Sequence, residues 1–410
     1  MTDRQDIPRP ATWLTEAERA WRARVAAVAE KSVAPRAAAM DRAAALAPDL
    51  VGELRAAGLM AIHVPERYGG RGGGLFDVIV AIEELAQADP AVAVFVDVQN
   101  ALVTQALLSH GSGDQKRTHL TALAGGGVGA FALSEELAGS DALALATTAR
   151  PEGDGFVLDG TKRWITNAAE ADLFLVLARV PERGLTAFLV DRRADGLTVG
   201  DRTAKMGIRA TSTCEVRLDG VHLSRRDVLG AVGRGDVVAV QTLDVGKLGI
   251  AAQLVGLAQG ALTAAVAHAR DRVQFGQPIG AYQGVRFPLA RVSAELEAAR
   301  TQLYSATRLA EHGAGGGELT RAAAVAKYLA SEVAERAASL AVETLGGQGY
   351  AEAGGVEKLY RDAKVGKIYE GTSNMQFRAI AAHLLRGVPE HTARASHPGD
   401  DPDGAAHPGV

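Results

Sequence analysis

Three stretches of the sequence combine residue types that could do chemistry. In Leu359-Tyr-Arg-Asp-Ala-Lys-Val-Gly-Lys-Ile-Tyr-Glu-Gly-Thr-Ser-Asn374 a helical pattern ends in a Glu-Gly-Thr-Ser loop that carries Glu370. A carboxylate beside a glycine at such a break can project into a cavity, where partial burial raises its pKa toward the range of a general base. A solvated loop glutamate is the plainer reading. In Lys162-Arg-Trp-Ile-Thr-Asn167, Trp164 and Thr166 lie two apart and so share one face of a strand. That face could cover a flat heterocycle, or the indole could fill a core. In Phe131-Ala-Leu-Ser-Glu-Glu-Leu-Ala-Gly-Ser-Asp141 apolar residues lead into Ser134, after which Gly139 and Ser140 could let backbone N–H groups approach an electron-rich ring or a phosphate. A strand followed by a polar turn explains the same residues.

The elements that must hold these stretches follow from periodicity. From Glu16 to Leu120 apolar residues recur at helical spacing, as in Leu75, Val78, Ile79, Ile82 and Leu85, with Asp77 placed to favour a helix start. From about Gly129 to Gly230 the pattern changes to short runs such as Phe156 to Leu158, Leu173 to Leu177 and Leu185 to Val190, broken by turns like Pro151 to Gly155. Antiparallel β-structure is expected there. Helical spacing returns from Thr242 to Leu385, for example Leu289, Val292, Leu296, Ala299 and Leu303, with Gly313 to Gly317 as an interhelical loop. The expected fold is therefore α+β and multidomain: an N-terminal helical domain (1–127), a middle antiparallel β-barrel or sandwich (128–240), a C-terminal four-helix bundle (241–388) and a disordered tail (389–410). Helices, then sheet, then helices is not the alternation of a doubly wound nucleotide fold. The glycines of Gly69 to Gly74 and of Gly346 to Gly349 accordingly read as turns, not phosphate loops.

Bulk properties exclude several classes. The chain has 410 residues, 47% hydrophobic and 22% charged, enough for two or three packed units. Its 44 Lys and Arg against 48 Asp and Glu leave no basic excess for a nucleic-acid backbone. The single cysteine, Cys214, excludes a disulfide framework and a multi-thiolate zinc site, as in a reducing compartment, with the cytoplasm the expected location. Met1 to Pro10 is polar, and no stretch approaches eighteen uninterrupted apolar residues, so neither secretion nor membrane spanning is expected. His391, His397 and His407 fall in the Pro-, Gly- and Asp-rich tail and are not expected to bind metal.

In order and spacing, the three stretches resemble the acyl-CoA dehydrogenase family, and the resemblance covers roughly Glu16 to Leu385. Further marks are Gly58-Leu-Met-Ala-Ile-His-Val-Pro-Glu-Arg-Tyr-Gly-Gly70, Arg272-Val-Gln-Phe-Gly276 with Gln283, and Leu345-Gly-Gly347. Asp97-Val-Gln-Asn100, Arg209-Ala-Thr-Ser-Thr-Cys214, Gly249-Ile-Ala-Ala-Gln253 and Gly256-Leu-Ala-Gln259 are most similar to its short and branched-chain group. The resemblance implies FAD as cofactor and Glu370 as the base that removes the α-proton of an acyl thioester while hydride passes from carbon β to flavin N5. A subset of the family carries its base on the first bundle helix, at the position of Gly246 here.

Other roles follow from the same resemblance. Phe131, Leu133, Ser134, Gly139 and Ser140 would line the flavin, with Ser140 turned toward the CoA side. Trp164, Ile165 and Thr166 would cover the ring. Arg272, Phe275 and Gln283, with Glu343, Gly346 and Gly347, correspond to positions that hold the FAD pyrophosphate and adenosine from a neighbouring subunit, and Thr372 and Asn374 close the site. Asp244, Lys247 and Gly371 fall on the substrate side. A homotetramer and electron-transferring flavoprotein as oxidant are implied too. The sequence departs from the family where Lys247 replaces an arginine, losing the planar fork of donors; where Glu135-Glu136 replaces Glu-Pro; and where Gln376-Phe-Arg-Ala-Ile380 lacks the Gln-Arg pair. An acyl carrier protein as acyl carrier stays open because of Lys247. A flavin monooxygenase or nitroalkane-oxidase-like reaction on the same scaffold is the rival that Glu370 argues against.

Overall fold

A computed structural model describes residues 14–313 and 315–386. Met1 to Pro10 and the tail with His391, His397 and His407 lie outside the described residues.

The N-terminal helices start where side chains can take up free backbone donors. Thr15 and Glu18 cap each other reciprocally at the start of α1 (Glu16–Val28). Asp77 accepts the Gly74 N–H at 3.1 Å at the start of α2 (Leu75–Ala88), the role its position predicts. Asp89 accepts the Ala91 N–H ahead of α3 (Pro90–Asp97). The chain then widens into a π-helical turn, Val98–Thr104. There Asn100 accepts the Ile62 N–H and donates to the Leu59 and Val96 carbonyls, while Gln99 donates to Met60 and Gly127 and accepts the Gly129 N–H. These bonds make one unit of the Gly58 to Gly70 and Asp97 to Asn100 motifs and fix where the sheet begins.

The sheet has eight strands: β1 (Gly129–Ala132), β2 (Thr148–Glu152), β3 (Gly155–Thr166), β4 (Leu173–Val180), β5 (Gly184–Asp191), β6 (Leu197–Arg202), β7 (Thr213–Ser224) and β8 (Val228–Leu229). Most pairs are antiparallel, as expected, but β1 runs parallel to β4 and β2 meets β4 in parallel as well, so the sheet is mixed. Periodicity within a strand carries no information about its partner's direction. A register shift between Lys162 and Ile165 marks a bulge in β3, and Trp164 sits in it with φ of +62°.

The C-terminal region is built on three long helices, α4 (Gly235–Asp271), α5 (Gln283–Glu311) and α6 (Gly317–Leu345). The fourth bundle position is divided between α7 (Val356–Lys364) and α8 (Ser373–Leu384), and the break between them holds Glu370. The helical stretches Pro90–His110 and Gly235–Asp271 are apolar and long enough to cross a membrane, but 89% and 72% of their most apolar 18-residue windows is buried in the fold. One face of α4 is nearly bare: a Cβ on Gly256 would lie 2.2 Å from the Glu83 carbonyl oxygen, and one on Gly260 2.8 Å from that of Gln87. Helix α2 thus rests on the α4 backbone, and Arg300 and Tyr304 of α5 bind the Glu83 carboxylate beside it.

We expect Gly256→Ala to destabilise the protein by about 2–3 kcal/mol, because its methyl group would overlap main-chain atoms that cannot yield. Gly52→Ala, at an exposed helical site with nothing within 4 Å, should instead stabilise by roughly 0.5–1 kcal/mol. Thermal and denaturant midpoints of the two variants should move in opposite directions.

Candidate active site

Glu370 adopts a left-handed backbone, φ of +51°, followed by Gly371 at +86°. Such a conformation is unfavourable for a residue with a Cβ and must be imposed by its surroundings. Thr372 stops it continuing by capping α8, its hydroxyl accepting the Met375 N–H. Buried Gln376 donates to both the Glu370 and Gly371 carbonyls, at 3.1 and 2.8 Å, and the Lys327 ammonium reaches the Gly371 carbonyl at 2.6 Å.

The carboxylate is thereby aimed at α4. Glu370 Oε2 is buried without a hydrogen-bond partner among the described residues, and it lies 2.8 Å from where a Cβ on Gly246 would stand. Leu102 of the π-helical turn fills the other side of that spot, at 2.6 Å. Burial pushes the Glu370 carboxyl up to about 7, against the lowering pull of the Lys247 and Lys327 charges. Lys247 donates to Asp244 at 2.8 Å, and Thr320 holds the other Asp244 oxygen at 2.6 Å. One turn along α4, Asp97 presses on Gly249, where a Cβ would fall 1.8 Å from its Oδ1. Both Asp97 carboxyl oxygens are buried without partners among the described residues, and burial together with the nearby Glu370 charge raises its pKa well above the usual range.

The same π-helical turn joins this carboxylate to the sheet. Val103 lies where a Cβ on Gly129 would go, at the start of β1. Past β1, Leu133 is buried, Ser134 half-buried, and Gly139 and Ser140 exposed, with open space around Gly139. The loop is stapled to β3: buried Glu135 accepts from Lys162 at 2.7 Å and from Thr147, and Lys162 also donates to the Leu133 carbonyl. Trp164 is 58% exposed, Ile165 is buried and Thr166 half-buried, so the indole and the hydroxyl are both accessible. An exposed indole, a half-buried hydroxyl and bare glycine backbone on this loop and strand suit a flat, partly apolar ring.

The models of the acyl-CoA dehydrogenase N-terminal, middle and C-terminal domains match residues 15–127, 130–221 and 233–385. The chain belongs to the acyl-CoA dehydrogenase family. It is an oxidoreductase. A probable short/branched chain specific acyl-CoA dehydrogenase of Dictyostelium discoideum is 44% identical over 92% of each chain. The structure of butyryl-CoA dehydrogenase from Megasphaera elsdenii superposes with a TM-score of 0.88 at 36% identity, covering 91% of this chain and 99% of that one. The prolyl acyl carrier protein oxidase AnaB superposes at 0.86 with 29% identity, covering 92% and 100%.

Not all the residues singled out by the acyl-CoA dehydrogenase resemblance meet at Glu370. Gln283 and Glu343 line one groove of about 470 Å³, together with Phe287, Arg291 and Arg336. Gly346 and Gly347 are exposed just past it, and Arg272 and Phe275 belong to a hairpin at the far end of α4, where Phe275 is 96% exposed. Gly246 and Arg272 are 26 residues apart, roughly 40 Å along the helix. Asp244, Lys247, Gly371 and Thr372 do gather near Glu370, and Asn374 is exposed on the first turn of α8.

Sequence reasoning did not single out Asp97, Leu102, Lys327 or Gln376 as neighbours of the carboxylate. For Lys327 a signal existed: it interrupts an alanine stripe, Ala323, Ala326, Ala330, Ala334 and Ala337, whose members are all buried. A lysine on the buried face of a helix must find a partner.

Two outcomes follow from this geometry. Glu370 titrates near 4.5 when unfolded and near 7 when folded, so between these values the folded state holds a proton that the unfolded state has lost. Stability therefore falls as pH rises through that window. Relative to the parent, Glu370→Gln should gain up to about 3 kcal/mol as pH rises from 5 to 8, and nothing below 4.5, as thermal midpoints across pH would show. Gly246→Ala, whose methyl group would meet Oε2 and Leu102, should cost about 1–3 kcal/mol and depress turnover.

Proposed function

We propose that this enzyme carries out the FAD-dependent α,β-dehydrogenation of a short or branched-chain acyl-CoA to the trans-2-enoyl-CoA, with Glu370 as the base. The observation that carries this reading is the Glu370 carboxylate itself, buried, unpartnered at Oε2, with a pKa near 7 and facing the bare backbone of Gly246. A carboxylate so placed is basic enough to take an α-proton and is not engaged by any described partner. Gly246 has no side chain to serve as an alternative base. FAD, when bound, supplies the acceptor for the hydride that leaves carbon β.

Phe131, Leu133, Ser134, Gly139, Trp164, Ile165 and Thr166 would cradle the flavin. The Glu370 backbone N–H would bond the thioester carbonyl and favour the enolate-like charge that develops as the proton leaves. Leu102 and the closely packed α3 exclude water from the base, which keeps its pKa high. Ser140, Asp244, Lys247 and Gly371 would meet the substrate on its CoA side. The distance along α4 between Gly246 and Arg272 supports an oligomer, a homotetramer by family resemblance, in which one copy's Arg272, Phe275, Gln283, Glu343, Gly346 and Gly347 complete the FAD site of another. Phe275 at 96% exposure fits a residue that is covered by a second copy. Electron-transferring flavoprotein is the proposed oxidant.

A second reading keeps the chemistry and changes the carrier. Lys247 offers a point charge to the carrier end of the substrate, and the structural likeness to a prolyl acyl carrier protein oxidase favours testing a carrier-bound acyl group.

FAD-loaded Glu370→Gln should stay yellow when mixed anaerobically with acyl thioesters that bleach the parent enzyme. Substantial bleaching of the variant would remove Glu370 from the base role. Running straight, 2-methyl and carrier-bound thioesters through the same assay ranks chain and carrier, and reoxidation by electron-transferring flavoprotein against molecular oxygen tests the acceptor.

A further inference from the structure

Among the described residues three lysines are almost wholly buried: Lys162, Lys327 and Lys358. Two of them follow the usual rule that a buried ammonium pairs with carboxylate. Lys162 meets Glu135 at 2.7 Å, and Lys358 meets Asp89 at 2.8 Å and Asp362 at 2.6 Å. Lys327 does not. Its hydrogen bond goes to the Gly371 main-chain carbonyl at 2.6 Å, and among the described residues no carboxylate lies within 4.0 Å of its Nζ. Lys162 and Lys358 set a carboxylate against their desolvation, whereas Lys327 sets only a main-chain carbonyl, beside the one backbone segment whose conformation the base requires.

The groups that face Glu370 come from several elements. Lys247 of α4 is already paired with Asp244, and Asp97 of α3 is pushed toward its neutral form by burial and by Glu370. On the loop itself, Tyr369 is occupied in donating to Gln253 at 2.8 Å, with its pKa raised by burial. Lys327 of α6 is thus, among the described residues, the positive charge near Glu370 without an acidic partner of its own. Burial lowers its pKa to about 8, which leaves it charged at neutral pH.

We propose that Lys327 is a positioning residue for the base: its ammonium pins the Gly371 carbonyl, which holds Glu370 in the left-handed conformation that aims Oε2 at Gly246, and its uncompensated charge favours the deprotonated carboxylate. The inference rests on reading Glu370 as the base. Gln376 shares the mechanical part, since it donates to the same carbonyl, but it is neutral and cannot supply the electrostatic part. Removing the lysine charge therefore has a signature that loosened packing does not.

The experiment compares Lys327→Met, Lys327→Gln and Lys327→Arg as FAD-loaded proteins. It reads the pH dependence of flavin bleaching by a substrate of the parent enzyme, and the infrared band of the protonated carboxyl that is absent from Glu370→Gln. Lys327→Gln removes the charge and keeps an N–H donor one bond shorter than that of lysine, so both its bleaching limb and its carboxyl titration should move up by about one pH unit, a tenfold loss of deprotonated base on the acid side. Lys327→Met should show the same shift and, with the clamp gone, a plateau rate roughly tenfold lower while substrate affinity is little changed. Lys327→Arg should keep the limb where it is. An unmoved limb and carboxyl band in folded Lys327→Gln would overturn the proposal, as would an equal shift in Lys327→Arg. If Glu370→Gln itself still bleaches, the base assignment fails and takes this role with it; if it does not bleach and the limb is unmoved, only the role of Lys327 fails.

Discussion

The long helix α4 can serve two domains and the reaction centre because one of its faces carries almost no side chains. Gly256 and Gly260 let α2 rest on its backbone, Gly249 receives the Asp97 carboxyl, and Gly246 receives Glu370 and Leu102. A methyl group at Gly256 or Gly260 would overlap main-chain atoms of α2, and one at Gly246 or Gly249 would displace the carboxyl groups of Glu370 or Asp97. The same absence of side chains therefore closes the N-terminal domain onto the bundle and leaves the space that the base occupies. The joint is secured further along by Lys358 of α7, whose ion pairs to Asp89 and Asp362 tie α7 to the start of α3, while Asp362 also accepts the Ile208 N–H from the middle domain.

That construction has an electrostatic consequence. Packing the helices against bare backbone leaves little room for water, so charges at the joint must be paired or neutral. Glu83 with Arg300 and Lys358 with two aspartates satisfy this, as Glu135 with Lys162 does within the middle domain. Glu370 and Asp97 do not, and both respond by raising their pKa. Burial and the Glu370 charge raise the Asp97 pKa well above the usual carboxylate range, whereas the lysines near Glu370 counter its burial and leave its carboxyl close to 7, where it can exchange a proton at physiological pH. Glu370 and Asp97 are the unpaired members of an otherwise balanced set, and their burial is a local loss of stability that the rest of the joint offsets.

Much of this was legible in the sequence. Helical and strand periodicities identify the three regions, and Asp77 and the Gly313 loop mark a helix start and an interhelical connection. The three chemical stretches stand out because each pairs a structural break with an unusual side chain. What periodicity could not supply was partnership across the chain. The parallel pairing of β1 with β4 depends on a residue separation that no local pattern encodes. The bulge at Trp164 is visible only from the strand beside it. Gly246 and Gly249 read as weak points of a helix until the carboxyl groups opposite them are known. Asp97, in an apolar run, and Lys327, on an alanine stripe, were anomalies of composition, but their meaning lay in Glu370, some 270 and 40 residues away.

A base at Gly246 would have been simpler to hold, since a helix fixes its own backbone. Putting the carboxylate on the α7–α8 break instead requires a residue with φ of +51° and three outside contacts, from Lys327, Gln376 and the Thr372 cap, to keep it there. The return is a different geometry at the reacting carbon. A loop residue can present its own N–H and its carboxylate to the same substrate, because its backbone bonds are not consumed by a helix. A mid-helix glutamate has no free N–H to offer. Under the proposed function one residue would then both polarise a thioester carbonyl and receive the adjacent proton, so that the strained conformation of Glu370 would serve the chemistry as well as the packing around it.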